Sequence, residues 1–488
     1  MEKKKQQPHV VMVPLPLQGH VKPLLCLAQL LSEAGLYVSF VNTTQSHKRF
    51  TNVETITTYF PNIHFECISD GLPEDHPRAL LTEYFEGMKR ETTPHFKELL
   101  LSLGRKSLTG SSPPVTCIIA DGVLPFAVGV AEELGIPIFS FCVHSARFLW
   151  GYLNIPKLIE EGQLPFSVIC CQHKKDSVSR WQLVSLYQWS SWTGRHFPAQ
   201  RLTGILHFTR SHHPIIKFFV GETIAMTKTS GLILNTFDEL EDSCIYHVSS
   251  ACNNLYTVGP LHAHINSKLG DRARTIASHG SLYSVEEKCL EWLDSQPPKS
   301  VLYVSFGSIT QTSLSQLMEF WHGLVNSGQP FLWVIRPGAV IGEEGNEGIP
   351  EDLLPGPKER GYVVEWAPQE QVLAHHALGA FLTHSGWGSV LESIVAKIPM
   401  ICWPYMGDHY INTQCVTKVW EIGVELEAWD RSTVEKAIKS VMETKKEDFQ
   451  ISMDKVAKLA EDTISKGGSS SQNLDKLVED IRKIKATA

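Results

Sequence analysis

With 488 residues, the chain is too long for one ordinary hydrophobic core and points to two domains of roughly 200 residues or a little more each. A composition of 43% hydrophobic and 20% charged residues is that of a globular protein, and a formal net charge of −8 removes the electrostatic case for nucleic acid or an anionic membrane as partner. Eleven scattered cysteines without a Cys-x-x-Cys pair argue against a disulfide framework and for a reducing compartment. No apolar run approaches the roughly 18 residues of a membrane span, and no signal peptide is expected, so the cytoplasm is the expected location.

In chain order, residues 9–13 form an unbroken apolar run ending at Pro14, as expected of a strand buried on both faces. Gln18, Gly19 and His20 make the turn after it. Pro23 is expected in the first helical turn, and Leu24, Leu27, Ala28 and Leu31 then recur at helical spacing up to Gly35. Residues 37–41 read as the next strand. This unit lacks Gly-x-Gly-x-x-Gly, which argues against a dinucleotide site. A further strand over 117–121 ends in Asp121, followed by a helix over 124–134 closed by Gly135 and a strand over 136–142. Strands alternating with helices imply an α/β fold with a parallel, doubly wound sheet, whose ligands gather at the carboxyl ends of the strands. His20 and Asp121 both belong there.

The alternation restarts near Ser300. Residues 301–306 read as a strand, Gly307 and Ser308 as its turn, 317–325 as a helix and 331–335 as a strand. The expected division is a first α/β domain over 1–254, a connector over 255–286, a second α/β domain over 287–466 and a terminal segment over 467–488 with a charged helix.

The densest stretch runs from Trp366 to His409. Residues 379–383 make a short apolar strand, Gly386 and Gly388 allow a tight turn, and Ser389 is the expected N-cap of the helix that follows. A helix N-terminus with small residues is a ready anion site. His384 and Ser389 add side-chain donors beside it, and Ser308 adds another from its own glycine turn, so a diphosphate fits. Glu392, one turn in, could accept hydrogen bonds from ribose hydroxyls, and Trp366 offers a flat face for a base. Asp408 suits two adjacent hydroxyls, since one carboxylate can accept two hydrogen bonds. His20, at a helix N-terminus, is a candidate general base, with Asp121 holding its other ring nitrogen. The structural alternatives are that His20 and Asp408 only cap helices and that Trp366 only fills core.

Trp-Ala-Pro-Gln from Trp366, the spacer from His376 to Gly379, Thr383-His384-x-Gly386-Trp387, Leu391-Glu392-Ser393, Pro399, and Pro404 before Asp408 together resemble the signature box of plant family-1 UDP-dependent glycosyltransferases. That resemblance implies two Rossmann-like domains facing across a cleft, the GT-B arrangement, with the terminal helix crossing back onto the first domain. It makes the first the acceptor-binding and the second the UDP-sugar-binding domain. It implies inverting transfer of a hexose, glucose before galactose, from a UDP-sugar to a hydroxyl or carboxyl of a small lipophilic metabolite. Gln369 becomes a ribose contact, the backbone near Ala367 a uracil contact, and Trp387, Asp408 and His409 the holders of the sugar. Pro14 to His20 and Asn42-Thr43 look like the branch of iridoid glucosyltransferases, including those acting on 7-deoxyloganetic acid. UDP-sugar is a co-substrate here. With no Asp-x-Asp and no metal-like histidine spacing, no metal and no cofactor are expected, and a monomer is expected.

Four departures from the family pattern carry expectations of their own. Lys22 stands where Asn is usual and would lower the pKa of the base. Gly388 replaces Asn and removes a donor, so donor binding should be weaker. His409 replaces Gln, which keeps UDP-galactose in play. Between Glu161 and Glu222 the one acid is Asp176 against seven Lys and Arg, with Trp181, Trp189 and Trp192 crowded together. Where the family has Arg-Asp-Leu-Pro, this chain has Gln200 to Gly204, which a one-base shift of suitable codons converts into it. Residues 167–211 therefore read as a frame-slipped translation or as a divergent surface loop, and a defective UDP-sugar-binding product is the alternative function. An NAD-dependent or nucleotide-sugar-modifying enzyme is the other rival, disfavoured by the missing fingerprint.

Overall fold

The computed structural model describes residues 6–73, 84–85, 87–161, 214–272, 280–341, 350–354 and 356–485. The anomalous segment 167–211 lies outside them. The apolar runs form two seven-stranded sheets. In the first, His9–Val13 (β1), Tyr37–Thr43 (β2), Ile63–Ile68 (β3), Val115–Asp121 (β4), Ile138–Cys142 (β5), Gly231–Leu234 (β6) and Leu255–Thr257 (β7) lie in the order β3-β2-β1-β4-β5-β6-β7. Every pairing in it is parallel. The second comprises Val301–Ser305 (β8), Phe331–Val334 (β9), Gly356–Pro357 (β10), Gly361–Val364 (β11), Leu378–Thr383 (β12), Met400–Cys402 (β13) and Gly423–Glu425 (β14), ordered β10-β11-β9-β8-β12-β13-β14. Among the described residues of that sheet only β10 and β11 pair antiparallel.

Strands with both faces covered need apolar side chains on both, and β1, β4, β5 and β8 are buried throughout. Each sheet therefore carries two apolar layers. Leu24, Leu27, Leu31, Val38 and Phe40 build one layer of the first sheet, and Val11, Val13, Ile118, Phe126 and Leu149 the other. Strand order reverses between β1 and β4 in one sheet and between β8 and β12 in the other. Ligands of open α/β sheets sit at such reversals, beyond the carboxyl ends. His20 follows β1, Asp121 ends β4, Gly307 and Ser308 follow β8, and His384 follows β12.

Several expected boundaries shift. The connector expected from residue 255 begins instead with β7, and the helix Leu261–Leu269 packs into the core of the first sheet. The first helix spans Gln18–Glu33, so Pro23 lies in its second turn and His20 in its first. The helix after β12 is Trp387–Ala396 with Gly386, not Ser389, at the N-cap. The helix Ser469–Lys483 places Leu474, Leu477, Val478 and Ile481 in the first sheet's core. Its Ser470 hydroxyl donates to the Gly259 carbonyl at 2.6 Å.

The two units meet through apolar and polar contacts. Phe148, Tyr152, Ile155 and Leu158 of the helix Ala146–Glu160 pack with Ile411 and Cys415 of the second unit. The indole N–H of Trp387 donates to the Asn235 carbonyl at 2.8 Å.

Candidate active site

Between the carboxyl ends of the two sheets lies one cleft, lined from the first unit by His20, Lys22, His144 and Asn235 and from the second by Ser308, Trp366, Gln369, His384, Glu392, Asp408 and His409. Ala367, Trp387, Gly388 and Ser389 also line it, so every candidate proposed from the second half of the sequence reaches the same space.

On the first side, His20 Nδ1 and Asp121 Oδ2 are 2.7 Å apart. Asp121 is buried, and its other oxygen accepts the Val123 N–H at 3.2 Å, which fixes the carboxylate. A carboxylate can only accept, so Nδ1 carries a proton, and in the neutral tautomer of the ring Nε2 is the nitrogen with the lone pair. The His144 ring stands edge-to-face to that of His20 at 5.9 Å and stacks on Phe148 at 4.6 Å. Burial lowers its pKa, against the pull of Asp408 and Asp121, so it faces the cleft as a neutral ring.

On the second side, the polar groups are wired to one another before any ligand arrives. Gln369 Nε2 donates to Ser389 Oγ at 3.0 Å and to Glu392 Oε2 at 2.7 Å, while its Oε1 accepts from the Tyr303 hydroxyl at 3.2 Å. That network fixes the amide and leaves one Glu392 oxygen for another partner. His384 is wedged between two turns: a Cβ at Gly307 or at Gly386 would lie 2.5 Å from its Nε2. Gly307 also has φ of +76°, so both the turn and the ring require glycine there. Burial pushes the pKa of His384 down to about 4, which keeps it neutral.

His409 stands edge-on to His384 at 4.7 Å. Burial first, then His384 and His144, hold its pKa well below the ordinary value. Its Nδ1 accepts the Met406 N–H at 3.2 Å, so the single proton of the neutral ring is on Nε2. Asp408 Oδ2 accepts from Asn412 Nδ2 at 2.7 Å, and its side chain caps no helix N–H. One face of Trp366 is covered by Tyr283, with ring centroids 4.3 Å apart and planes at 23°.

Two expectations change. Trp387 is 2% exposed and its one N–H is taken by Asn235, so its indole cannot hydrogen-bond a sugar and serves as a wall of the site. Lys22 is paired across the cleft. Its Nζ lies 2.5 Å from Glu370 Oε1 and 3.9 Å from Glu392 Oε1, both on the opposite unit. Sequence reasoning passed over His144, Glu370 and Asn235. His144 carried a usable signal, since it lies two residues beyond the carboxyl end of β5. Asn235 carried none, because its carbonyl and not its side chain meets Trp387.

Residues 284–460 match the family model described as UDP-glucoronosyl and UDP-glucosyl transferase, and residues 6–66 match the glycosyltransferase N-terminal domain. The chain is 43% identical over 484 residues to the 7-deoxyloganetic acid glucosyltransferase of Catharanthus roseus, covering 98% of both. The chain belongs to the plant family-1 UDP-dependent glycosyltransferases. It is 44% identical to mogroside I-A1 synthase of Siraitia grosvenorii, over 94% of this chain and 86% of that one. Among solved structures, Os79 from O. sativa in complex with UDP superimposes with a TM-score of 0.76 at 26% identity, covering 97% of this chain and all of that one. As a UDP-glycosyltransferase of GT-B fold, the protein joins two Rossmann-like units across the cleft just described. Among the described residues no helix is long and apolar enough to cross a membrane, and no group of three or more His, Cys, Asp or Glu could hold a metal ion.

Proposed function

We propose that this glycosyltransferase moves glucose from UDP-glucose, with inversion, to a hydroxyl or carboxyl of a small lipophilic terpenoid of the iridoid kind. The observation that carries the reading is the His20–Asp121 pair at 2.7 Å, in a cleft whose other side is the wired cradle of the second unit. His20 takes the acceptor proton at Nε2, Asp121 stabilises the cation that forms, and the freed oxygen attacks the anomeric carbon on the face opposite UDP. The diphosphate lies against Ser308, His384, Ser389 and the N-terminus of Trp387–Ala396, where fixed donors meet the charge that grows on the leaving group. Glu392 and Gln369 hold the ribose, Trp366 stacks on the uracil and the Ala367 backbone reads its edge. A base on the face of Trp366 that Tyr283 covers requires Tyr283 to swing away.

Asp408 and His409 hold the sugar. The Nε2–H of His409 is a fixed donor, whereas the Gln usual in the family both donates and accepts, and this difference sustains UDP-galactose as a second donor. The similarity to 7-deoxyloganetic acid glucosyltransferase supports the acceptor class. The protein works in the cytoplasm as a monomer without a metal. Incubation with a panel of hydroxylated and carboxylated terpenoids and phenolics, with UDP-glucose and UDP-galactose in competition and products read by mass, tests this. A hexose adduct on an iridoid acid or alcohol is expected. UDP binding without turnover on any acceptor would favour a defective product.

A further inference from the structure

On the donor reading the cleft must accept a nucleoside diphosphate, yet among the described residues that line it Lys22 is the one Lys or Arg, while the carboxylates of Glu392 and Asp408 line it too. Two more acids stand just behind the lining, Glu370 beside Lys22 and Asp121 behind His20. Lys22 comes from the first unit and both its partners from the second. Each partner has its other oxygen held by a neutral donor: Glu370 Oε2 accepts from Asn266 at 3.1 Å, and Glu392 Oε2 from Gln369 at 2.7 Å. The remaining oxygens face Nζ, at 2.5 Å and 3.9 Å. A rigid pair of carboxylates so close to the ribose end of the donor would repel a diphosphate unless a cation stood between them.

We infer that Lys22 is a nucleotide-binding residue reaching across from the first unit: its ammonium group screens the carboxylates of Glu370 and Glu392 from the diphosphate. The inference rests on the donor reading above. In the transfer step the acceptor oxygen–C1 bond forms, the C1–O bond to UDP breaks with its electron pair leaving on UDP, and the acceptor proton goes to His20. Lys22 keeps its proton throughout. Burial works against that charge, but Glu370 and Glu392 outweigh it and raise the pKa overall. A purely structural role is the competing explanation, in which Lys22 only ties the two units together. Lys then affects every cleft ligand alike, charged or not.

Calorimetric titration of the full chain with UDP and with uridine separates the two. Lys22→Met should weaken UDP on the order of tenfold or more while leaving uridine within about twofold, and Lys22→Arg should return most of the UDP affinity. Equal losses for UDP and uridine, or no loss for either, would overturn the inference. Glu370→Gln keeps the shape of the pair and removes one negative charge, so it should hold or tighten UDP binding; a loss matching that of Lys22→Met would identify a tie between units and reject the screening role. Failure of the unaltered protein to bind UDP would be a different result, sinking the donor reading and this inference with it.

Discussion

The two faces of the cleft are built differently. On the side proposed to hold the donor, Gln369, Ser389, Glu392 and Tyr303 hold one another, and His384 is gripped by two glycine turns. On the side proposed to meet the acceptor, one histidine–carboxylate pair stands beside His144, near the helix Ala146–Glu160. A donor of fixed chemistry favours a prewired cradle in which each polar group has a set partner, because preorganised donors need no rearrangement at the moment of reaction. An acceptor that differs from enzyme to enzyme is met by loops and apolar surface, where few residues are dictated by chemistry.

Breaking the acceptor-side pair should have the largest effect. His20→Ala is expected to lower kcat about 10³-fold with the UDP dissociation constant little changed, and Asp121→Asn about 10²-fold; steady-state kinetics with titration of UDP checks both. If UDP affinity falls with kcat, the separation of the two faces fails. Next, Gly386→Ala drives a Cβ to 2.5 Å from His384 Nε2 and should raise the donor KM at least tenfold while destabilising the fold by about 1–3 kcal/mol, read by kinetics and thermal unfolding.

Gly388 provides the opposite test. A Cβ there meets nothing within 4 Å, so Gly388→Asn fits and should lower the donor KM severalfold by adding a side-chain donor; no change would count against a contact at this position. A smaller effect concerns acid. His9, His264 and His384 have pKa values lowered by burial to about 4. Between about pH 4 and 6.5 the unfolded chain binds protons at these rings that the folded chain does not, so stability is full above pH 6.5 and falls as pH drops through that window. Melting temperatures at pH 7 and pH 5 should differ by several degrees, with the lower value at pH 5. The smallest effect is expected from chelation: EDTA should leave turnover unchanged, and activity lost to EDTA and restored by Mn²⁺ would refute a metal-free site.

How far each side could be read in advance follows the same division. The strands were legible because a parallel sheet covered on both faces demands continuous apolar runs, and His9–Val13, Val115–Asp121 and Val301–Ser305 supply them. That His384, Ser389, Glu392 and Asp408 share one cleft was legible because they lie within one short stretch whose geometry is local. What crosses between units left no such trace. Trp387 looks like a sugar contact until the Asn235 carbonyl is found at its nitrogen. Lys22 looks like a neighbour of His20 by sequence, but residues two apart on a helix point in different directions, and its charge goes to the other unit. The strand Leu255–Thr257 is short enough to resemble a linker, and only its pairing with β6 reveals it.

The helix Ser469–Lys483 has a consequence for how the protein is made. Four of its apolar residues complete a layer whose other members, such as Leu24, Leu27 and Val38, leave the ribosome hundreds of residues earlier. Domains commonly fold as they emerge, at roughly 5–20 residues per second. Here that layer of the amino-terminal unit is completed only by residues 469–483, so a nascent fragment that lacks them leaves it open.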